Sequence, residues 1–236
     1  MRIICLGNSF KEGGRCIAGI RINSKNQYLT ENDRPLWIRP ISRANHGQIR
    51  NQLVSHIKLL DILKFSVTSV PDRNNYQSEN AYFDERSIQI VGKINSKSIK
   101  ILCEDHSVIF GNRGKAIHED KIGSLRHSLI LIKTKQFDVV EVNYDDNSNQ
   151  PQKRMAFKYN GNNYNLPITD PVFLHSYQSN HNILNGVDKI YLSLSVGICW
   201  KSWYYKLVAG VIIPPNSKIS TPSNPFSNSS DEPLPF

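Results

Sequence analysis

The sequence predicts an all-β protein, and three observations support this fold class. Short runs rich in β-branched and large apolar residues recur along the 236 residues. Turn signals such as Gly13-Gly14 and Asn160-Gly161 separate these runs, and helical periodicity is weak. Strands this short and this numerous favour small barrels or a sandwich.

The expected strands form two sets. The first set is Ile3–Leu6, Cys16–Ile22, Leu36–Ile41, Ile57–Val70, Ser87–Ile94 and Ser98–Leu102. The second set is Leu129–Thr134, Phe137–Val142, Met155–Tyr159, Tyr164–Ile168, Ile190–Cys199 and Tyr205–Ile213. Short helices are compatible only with Glu79–Arg86 and Ile117–His127.

Two sets of about five strands fit two OB-like five-stranded barrels in tandem. SH3-like barrels and one large sandwich remain alternatives, because periodicity does not separate these folds. We expect the first barrel over residues 1–110 and the second over residues 111–215. Residues 216–236 are rich in Ser, Asn and Pro with almost nothing to bury, which predicts a disordered C-terminal tail.

The net charge of +9 is concentrated in the first part of the chain. Residues 1–70 hold 11 Lys and Arg against 4 Asp and Glu, residues 71–140 hold 11 against 9, and residues 141–236 hold 7 against 7. A charge that served only solubility would not need to concentrate. The asymmetry therefore predicts a basic face for a polyanion on the first barrel.

The four cysteines have no spacing typical of a zinc or redox site, so we predict no metal and no cofactor. Cys5, Cys16 and Cys199 lie in strand-like runs and are expected to be small core residues in a reducing compartment. No apolar run has the length of a signal peptide or a membrane span. We therefore expect a cytoplasmic protein with no membrane partner.

A glycine-rich loop joins the first two expected strands. Gly13 and Gly14 permit a tight turn, and the side chains of Asn8, Ser9, Lys11 and Arg15 lie on either side of it. These groups and the backbone N–H groups are suited to holding an anion. The alternative is an ordinary hairpin turn. The loop lacks the Gly-Lys-Ser/Thr ending of a P-loop, so nucleotide hydrolysis is not indicated.

The segment after this hairpin pairs an aromatic residue with a cation. Strand alternation places Trp37 and Arg39 on one face, where the ring is expected to stack on a base while the guanidinium contacts phosphate. Arg43, His46 and Arg50 extend the positive surface. In the alternative interpretation, Trp37 is a core residue and Arg39 forms a structural ion pair.

These segments carry a resemblance to a known family. Four segments resemble the bacterial dual OB-containing domain family. They are Cys-Leu-Gly-Asn-Ser from Cys5, Gly-Gly-Arg-Cys-Ile-Ala-Gly from Gly13, Trp-Ile-Arg-Pro-Ile-Ser from Trp37 and Tyr-Lys-Leu-Val-Ala-Gly-Val-Ile from Tyr205. The resemblance spans nearly all of residues 1–213. It implies two OB barrels and binding of nucleic acid, single-stranded DNA or RNA, often in defence against phages with a defence-system effector as partner.

The chain ends in Asp231-Glu232-Pro233-Leu234-Pro235-Phe236, which resembles the tip of bacterial single-stranded-DNA-binding proteins. The resemblance implies a partner protein from replication or repair. Two carboxylates, an extended Pro-containing segment and a terminal ring suit a pocket with an apolar hole and a cation. We expect the tip to recruit such a partner, to compete for it, or to mask the basic face of its own chain.

Two enzymatic or sensory alternatives remain. The Cys, Glu, Asp and His residues within 103–120 would suit a metal-dependent nuclease, although their spacing fits no known ligand pattern, and we predict no catalytic residues. The glycine loop would also suit a sensor of a nucleotide signal. Trp200, Trp203, Tyr204 and Tyr205 are expected mainly to pack in the core. The alternative is that part of this group forms a second stacking surface, with Lys201 and Lys206 nearby.

Overall fold

A computed structural model of the protein describes residues 1–44, 46–71, 76–143 and 151–215. The tail expected over residues 216–236 therefore lies outside the described residues. The strands are β1 (Arg2–Lys11), β2 (Gly14–Arg21), β3 (Thr30–Glu31), β4 (Arg34–Pro35), β5 (Trp37–Ile41), β6 (Asp61–Lys64), β7 (Val67–Ser69), β8 (Asn80–Phe83), β9 (Gln89–Lys93), β10 (Ala116–His118), β11 (Leu129–Thr134), β12 (Phe137–Val142), β13 (Gln152–Tyr159), β14 (Asn162–Pro167), β15 (Ile190–Trp200) and β16 (Trp203–Ile212). The α-helices are α1 (Asn51–Val54), α2 (Glu119–Ile122) and α3 (Pro171–Ser179), and 3₁₀ helices span Glu85–Ser87, Ser96–Leu102 and Ile109–Gly111.

The first barrel closes because one strand bends. The sheet order is β7-β8-β5-β2-β1-β6-β9, and its antiparallel pairs are joined by one parallel pair, β5 with β8. Strands β6 and β7 are separated only by Phe65 and Ser66, and they pair with β1 and β8 respectively. Residues 61–69 thus act as one bent strand that closes a five-stranded barrel, with α1 preceding it.

The second barrel has the same connectivity, with the bend in its first strand. Strand β11 pairs with β15 and strand β12 pairs with β13, and only Lys135 and Gln136 separate β11 from β12. The hairpins β13–β14 and β15–β16 complete the barrel, and a parallel bridge from Ile168 to Val208 joins them. The predicted fold class, two OB-like barrels in an all-β chain, is confirmed.

Helix α3 follows the third strand of the second barrel and was not expected from the sequence. It begins at Pro171, and Oδ1 of Asp170 accepts hydrogen bonds from the backbone N–H groups of Val172 and Phe173. Asp-Pro is a recognised start signal for a helix, since Asp caps the free N–H groups and Pro has none. The signal was therefore present in the sequence.

Four other expected elements differ from the structure. The predicted helix over Glu79–Arg86 is mostly β8, in which alternate residues, Ala81 and Phe83, are buried. The predicted strand over Ser98–Leu102 is part of a 3₁₀ helix. The run Ile57–Val70 divides into β6 and β7 at the barrel bend. The segment Ile117–His127 begins in β10 and contains only the single-turn helix α2.

The two barrels share a hydrophobic core. Leu6 and Trp37 of the first barrel pack in one buried cluster with Leu129, Leu131 and Ile212 of the second. Strand pairing assigns residues 2–93 to one barrel and 116–212 to the other, so a boundary at residue 110 falls in the connecting segment and stays a proposal. Among the described residues, no helix combines the length and apolar character that crossing a membrane requires.

Candidate nucleic-acid interface

A cavity of about 390 Å³ lies between two hairpins, one from each barrel. The β1–β2 hairpin contributes Phe10, Lys11 and the glycine turn to its walls. The β15–β16 hairpin contributes the segment 195–198 and Leu207. We call this space the inter-barrel cleft, and its position makes it accessible to a ligand that contacts both barrels.

The glycine turn has the geometry of a two-residue hairpin turn. Glu12 and Gly13 both have positive φ, 41° and 76°, as the tight turns of twisted hairpins require. A Cβ on Gly14 would lie 2.6 Å from the carbonyl oxygen of Ile49, so the loop before α1 packs directly on the turn. The hairpin interpretation of this loop is thus correct, and its role in holding an anion stays a prediction.

Trp37 does not offer a stacking surface, so that prediction was wrong. It is 6% exposed, and its indole N–H donates to Oε1 of Glu104. All five residues of β5 are buried, because Ile38 faces the interior of the first barrel and Trp37 faces the core shared with the second. Strand alternation assigned the faces correctly, but the face expected to be open is covered by the second barrel.

Arg39 lies on the same covered face and is 1% exposed. Its guanidinium donates to Asn80 Oδ1 at 3.0 Å, to Ser128 Oγ at 3.0 Å and to Ser195 Oγ at 3.2 Å. Arg39 therefore joins the two barrels and does not present a cation on an outer surface. It also forms no ion pair with the carboxylates of the described residues. Arg39 nevertheless lines the inter-barrel cleft.

Two further predicted ligands are buried. The amide of Asn8 donates to the carbonyl oxygens of Val54 and Ile57, so it fixes the chain at the end of α1 instead of contacting a ligand. Ser9 is also buried, although it lines the cleft. The prediction of a ligand contact was therefore wrong for Asn8, whose amide is used within the fold, whereas for Ser9 it stays a prediction.

The other five predicted residues come together at one end of the first barrel. Strand β5 runs antiparallel to β2, so the loop after β5 meets the glycine turn, and Arg15 exchanges backbone hydrogen bonds with Ile49. We call this region the glycine-turn surface; it comprises Lys11 and Arg15, which are half-buried, and Arg43, His46 and Arg50, which are exposed. It is the part of the predicted basic face that the fold preserves.

Two arginines of the glycine-turn surface lie over aromatic rings. Arg15 lies 4.7 Å from the ring centroid of Phe10, which is 53% exposed. Arg43 lies 4.6 Å from the ring centroid of Tyr82. The rings available beside these cations are therefore Phe10 and Tyr82, not Trp37.

An exposed aromatic surface lies where core packing was the favoured expectation and a second stacking surface the alternative. Trp200 and Trp203 flank the turn of the β15–β16 hairpin and are 58% and 43% exposed. Lys201 lies 4.6 Å from the ring centroid of Trp200, and His118 packs edge-on against Trp203. The expectation of core packing was wrong for these two residues, and Cys199 is exposed as well. The available signal was the Trp-Lys-Ser-Trp order, which places two polar residues at a turn between two rings.

A second cationic surface lies at the other end of β15, roughly 30 Å along the strand from the tryptophans. This groove of about 430 Å³ is lined by Lys97, Lys100, Lys133, Lys135 and Lys189, and none of the described residues in its wall is acidic. We call it the lysine groove. It was not anticipated, because its lysines are distributed over residues 97–189.

The acidic and histidine residues within 103–120 do not assemble a metal site. Glu104 accepts hydrogen bonds from Trp37 and Arg34, Asp105 accepts one from Asn160, and His118 lies 3.0 Å from Asp120. Burial alone would raise the pKa of Glu104, but hydrogen bonding and the charge of Arg34 hold it below its usual value. Among the described residues, no group of three or more His, Cys, Asp or Glu side chains is positioned to hold a metal ion.

The predicted partner-binding residues, Asp231 to Phe236, lie outside the described residues. No curated protein matches the sequence. Among solved structures, a chain of a replication protein A heterotrimer bound to ssDNA is similar over 92% of this chain and 48% of its own length, at 10% identity and a TM-score of 0.33. This chain thus spans about half the length of that one, and a similarity at this level does not establish a common fold.

The family comparison is stronger and agrees with the two barrels. A family model described as the dual OB-containing domain matches residues 1–211. The match covers both barrels and ends at the last strand. The chain therefore belongs to the dual OB-containing domain family.

Proposed function

We propose that the protein binds single-stranded nucleic acid across the inter-barrel cleft and acts as a binding protein rather than an enzyme. The observation that carries this proposal is the pair of exposed tryptophans at the tip of the β15–β16 hairpin. Large rings are seldom left in solvent without a role, and bases of any sequence stack on them. Single strands are favoured over duplexes because only unpaired bases present free faces to a ring.

The positions of the two hairpins support the same ligand. In OB folds the loops after the first and fourth strands flank the binding face for oligonucleotides. The glycine turn is the first such loop of the first barrel, and the Lys201–Ser202 turn is the second such loop of the second barrel. A strand in the cleft would meet Phe10 and Lys11 on one side and residues 195–198 of the β15–β16 hairpin on the other, and the same hairpin carries Trp200 and Trp203 at its turn. Arg15, which lies over Phe10, is available for a phosphate beside the cleft.

Fluorescence anisotropy with labelled single strands and duplexes of DNA and RNA tests this proposal. We expect single strands to bind and their affinity to fall steeply between about 50 and about 200 mM salt, because counterions are released on binding. Replacing both tryptophans, W200A with W203A, should reduce the affinity by about tenfold or more, since each stacked base contributes roughly 1–3 kcal/mol.

Two controls locate the binding surface. The W200F variant keeps a ring and should bind nearly as the wild type does. The double variant K133Q and K135Q removes charge from the lysine groove and should weaken binding less than loss of the tryptophans does. The cleft would be the wrong surface if the lysine variant lost binding and the tryptophan variant kept it. Failure of every strand to bind in low salt would overturn the function itself.

We also propose that the acidic tip, Asp231 to Phe236, captures a protein of a bacterial repair or anti-phage defence system while the barrels hold the strand. The support is the order of charges, prolines and terminal ring in the sequence. Deleting residues 231–236 should abolish binding to a purified repair enzyme that recognises acidic Pro-Phe tips. Strand affinity should be unchanged, or should rise if the tip masks the basic surface. The F236A variant is the matched control, and its full retention of the enzyme would contradict the proposal.

A further inference from the structure

The inter-barrel cleft has a buried cation at its inner wall. Arg39 is almost completely removed from solvent, yet its three hydrogen-bond partners are the neutral oxygen atoms of Asn80, Ser128 and Ser195. Burying a charge among neutral partners is costly, and buried cations in proteins are normally compensated by an anion. In the part of the chain that the structure describes, no carboxylate forms an ion pair with Arg39.

The nearest compensation is indirect. Ser128 donates its hydroxyl to Oε2 of Glu79 at 3.0 Å while it accepts from Arg39, so Glu79 is one hydroxyl away from the guanidinium. The Glu79 carboxylate also accepts the backbone N–H groups of Ser128 and Leu129. Its charge is thus shared among several donors and reaches the guanidinium of Arg39 through the Ser128 hydroxyl.

A second cation lines the same space. Lys11 is half-buried in the wall of the cleft, where burial and the nearby charge of Arg39 lower the pKa of its ammonium group. Two like charges that converge on one cavity repel each other, and a bound anion would remove that repulsion. Among the described residues that line the cleft, Glu12 is the acidic one, and it is exposed.

The remaining walls fit the other part of a nucleotide. Phe10, Val196, Ile198 and Leu207 give the cleft an apolar side. Its volume, about 390 Å³, lies in the range of small-ligand sites. Apolar walls with a few convergent cations match a ligand that carries a flat ring at one end and a phosphate at the other.

We propose that the inter-barrel cleft is a nucleotide site in which Arg39 and Lys11 bind a phosphate monoester and the apolar wall receives the base. Two ligands carry both a base and a phosphate monoester: a free mononucleotide and the 5′-phosphorylated end of a strand. This site shares Phe10 and Lys11 with the strand path of the proposed function, but Trp200 and Trp203 do not line the cleft, so strand stacking and phosphate recognition can fail separately.

Titration calorimetry tests the site with 5′-AMP, adenosine and inorganic phosphate as probes. We expect 5′-AMP to bind about tenfold or more tightly than adenosine, because a hydrogen-bonded charge pair is lost without the phosphate. A second arm compares a 5′-phosphorylated with a 5′-hydroxyl oligonucleotide by anisotropy. If the protein prefers the phosphorylated oligonucleotide but does not bind 5′-AMP, the ligand of the cleft is the 5′ end of a strand and not a free mononucleotide. Equal binding of both members in both pairs would overturn the proposal.

The variants separate recognition from folding. R39Q should abolish the preference for phosphate, but Arg39 also joins the barrels and this variant could unfold. K11Q keeps the inter-barrel contacts and should weaken 5′-AMP about threefold or more, given the modest strength of a single charged contact. K133Q, a lysine-to-glutamine change in the lysine groove, should leave 5′-AMP binding unchanged. Equal effects of K11Q and K133Q would contradict the assignment.

Discussion

The indole N–H of Trp37 donates to Oε1 of Glu104 across 2.9 Å, although 67 positions separate the two residues in the sequence. The other carboxylate oxygen of Glu104 accepts from Arg34, and the backbone N–H of Glu104 donates to Leu131 in the second barrel. Trp37 is therefore part of a buried polar connection between the barrels. Its role is structural, and the consequences of changing it should be those of a core residue.

Replacing Trp37 with Phe should destabilise the fold without changing affinity for nucleic acid. The variant leaves a buried carboxylate oxygen without its donor, which costs about 1–3 kcal/mol, in addition to the loss of packing. Denaturant unfolding measures the first effect and anisotropy with a single strand measures the second. A stable variant with weakened strand binding would restore Trp37 as a ligand-contacting residue.

Replacing Arg15 with Gln should weaken strand binding and reduce its salt dependence. Arg15 lies over the exposed ring of Phe10, so the variant loses one phosphate contact and one stacked cation. The slope of log affinity against log salt should fall by about 0.7, the value for one contact to a single strand. R113Q, at an exposed arginine in the segment between the barrels and outside the cleft, is the control and should keep the wild-type slope.

Replacing Gly210 with Ala should destabilise the contact between the barrels. A Cβ at this position would lie 2.3 Å from the carbonyl oxygen of Leu6, which is backbone and cannot rotate away. Such overpacking costs about 1–3 kcal/mol or more, so the melting temperature should fall by several degrees. G123A has no atom within 4 Å of the added Cβ and should be neutral. Equal melting temperatures of the two variants would show that the close approach of β16 to β1 is unimportant for stability.

Acid should destabilise the protein through His127. Burial, together with the charges of Arg34 and His106, lowers the pKa of His127 to about 4 in the folded state. The unfolded chain binds a proton near pH 6.5 and the folded chain only near 4, so stability is lost as the pH falls through this window and is constant above it.

Thermal melts of the wild type and H127Q between pH 4 and 7 test this expectation. The difference between the two curves should change across the window, with the wild type losing more stability on acidification. H175Q, at an exposed histidine, should run parallel to the wild type. Parallel curves for H127Q and wild type would contradict a buried neutral His127.

The sequence was sufficient for the fold class and for most strands. The β1–β2 hairpin follows from local chemistry, since Gly13 accepts the positive φ that its turn requires, and short β-rich runs leave few architectures available. The sequence also indicated that Lys11, Arg15, Arg43, His46 and Arg50 form a basic group. These residues lie in one hairpin and in the loop that packs on it, and both segments are close together in the sequence. Helix α3 was missed despite its Asp-Pro start.

Burial at the boundary between barrels was decided by the tertiary structure alone. Alternation shows that Trp37 and Arg39 share a face, but whether that face meets water depends on a second barrel assembled from residues 116–212. The same docking creates the inter-barrel cleft and leaves the Trp200–Trp203 turn in solvent. A strand pattern records only which residues share a side, because periodicity is local, whereas exposure is set by contacts between residues far apart in the chain.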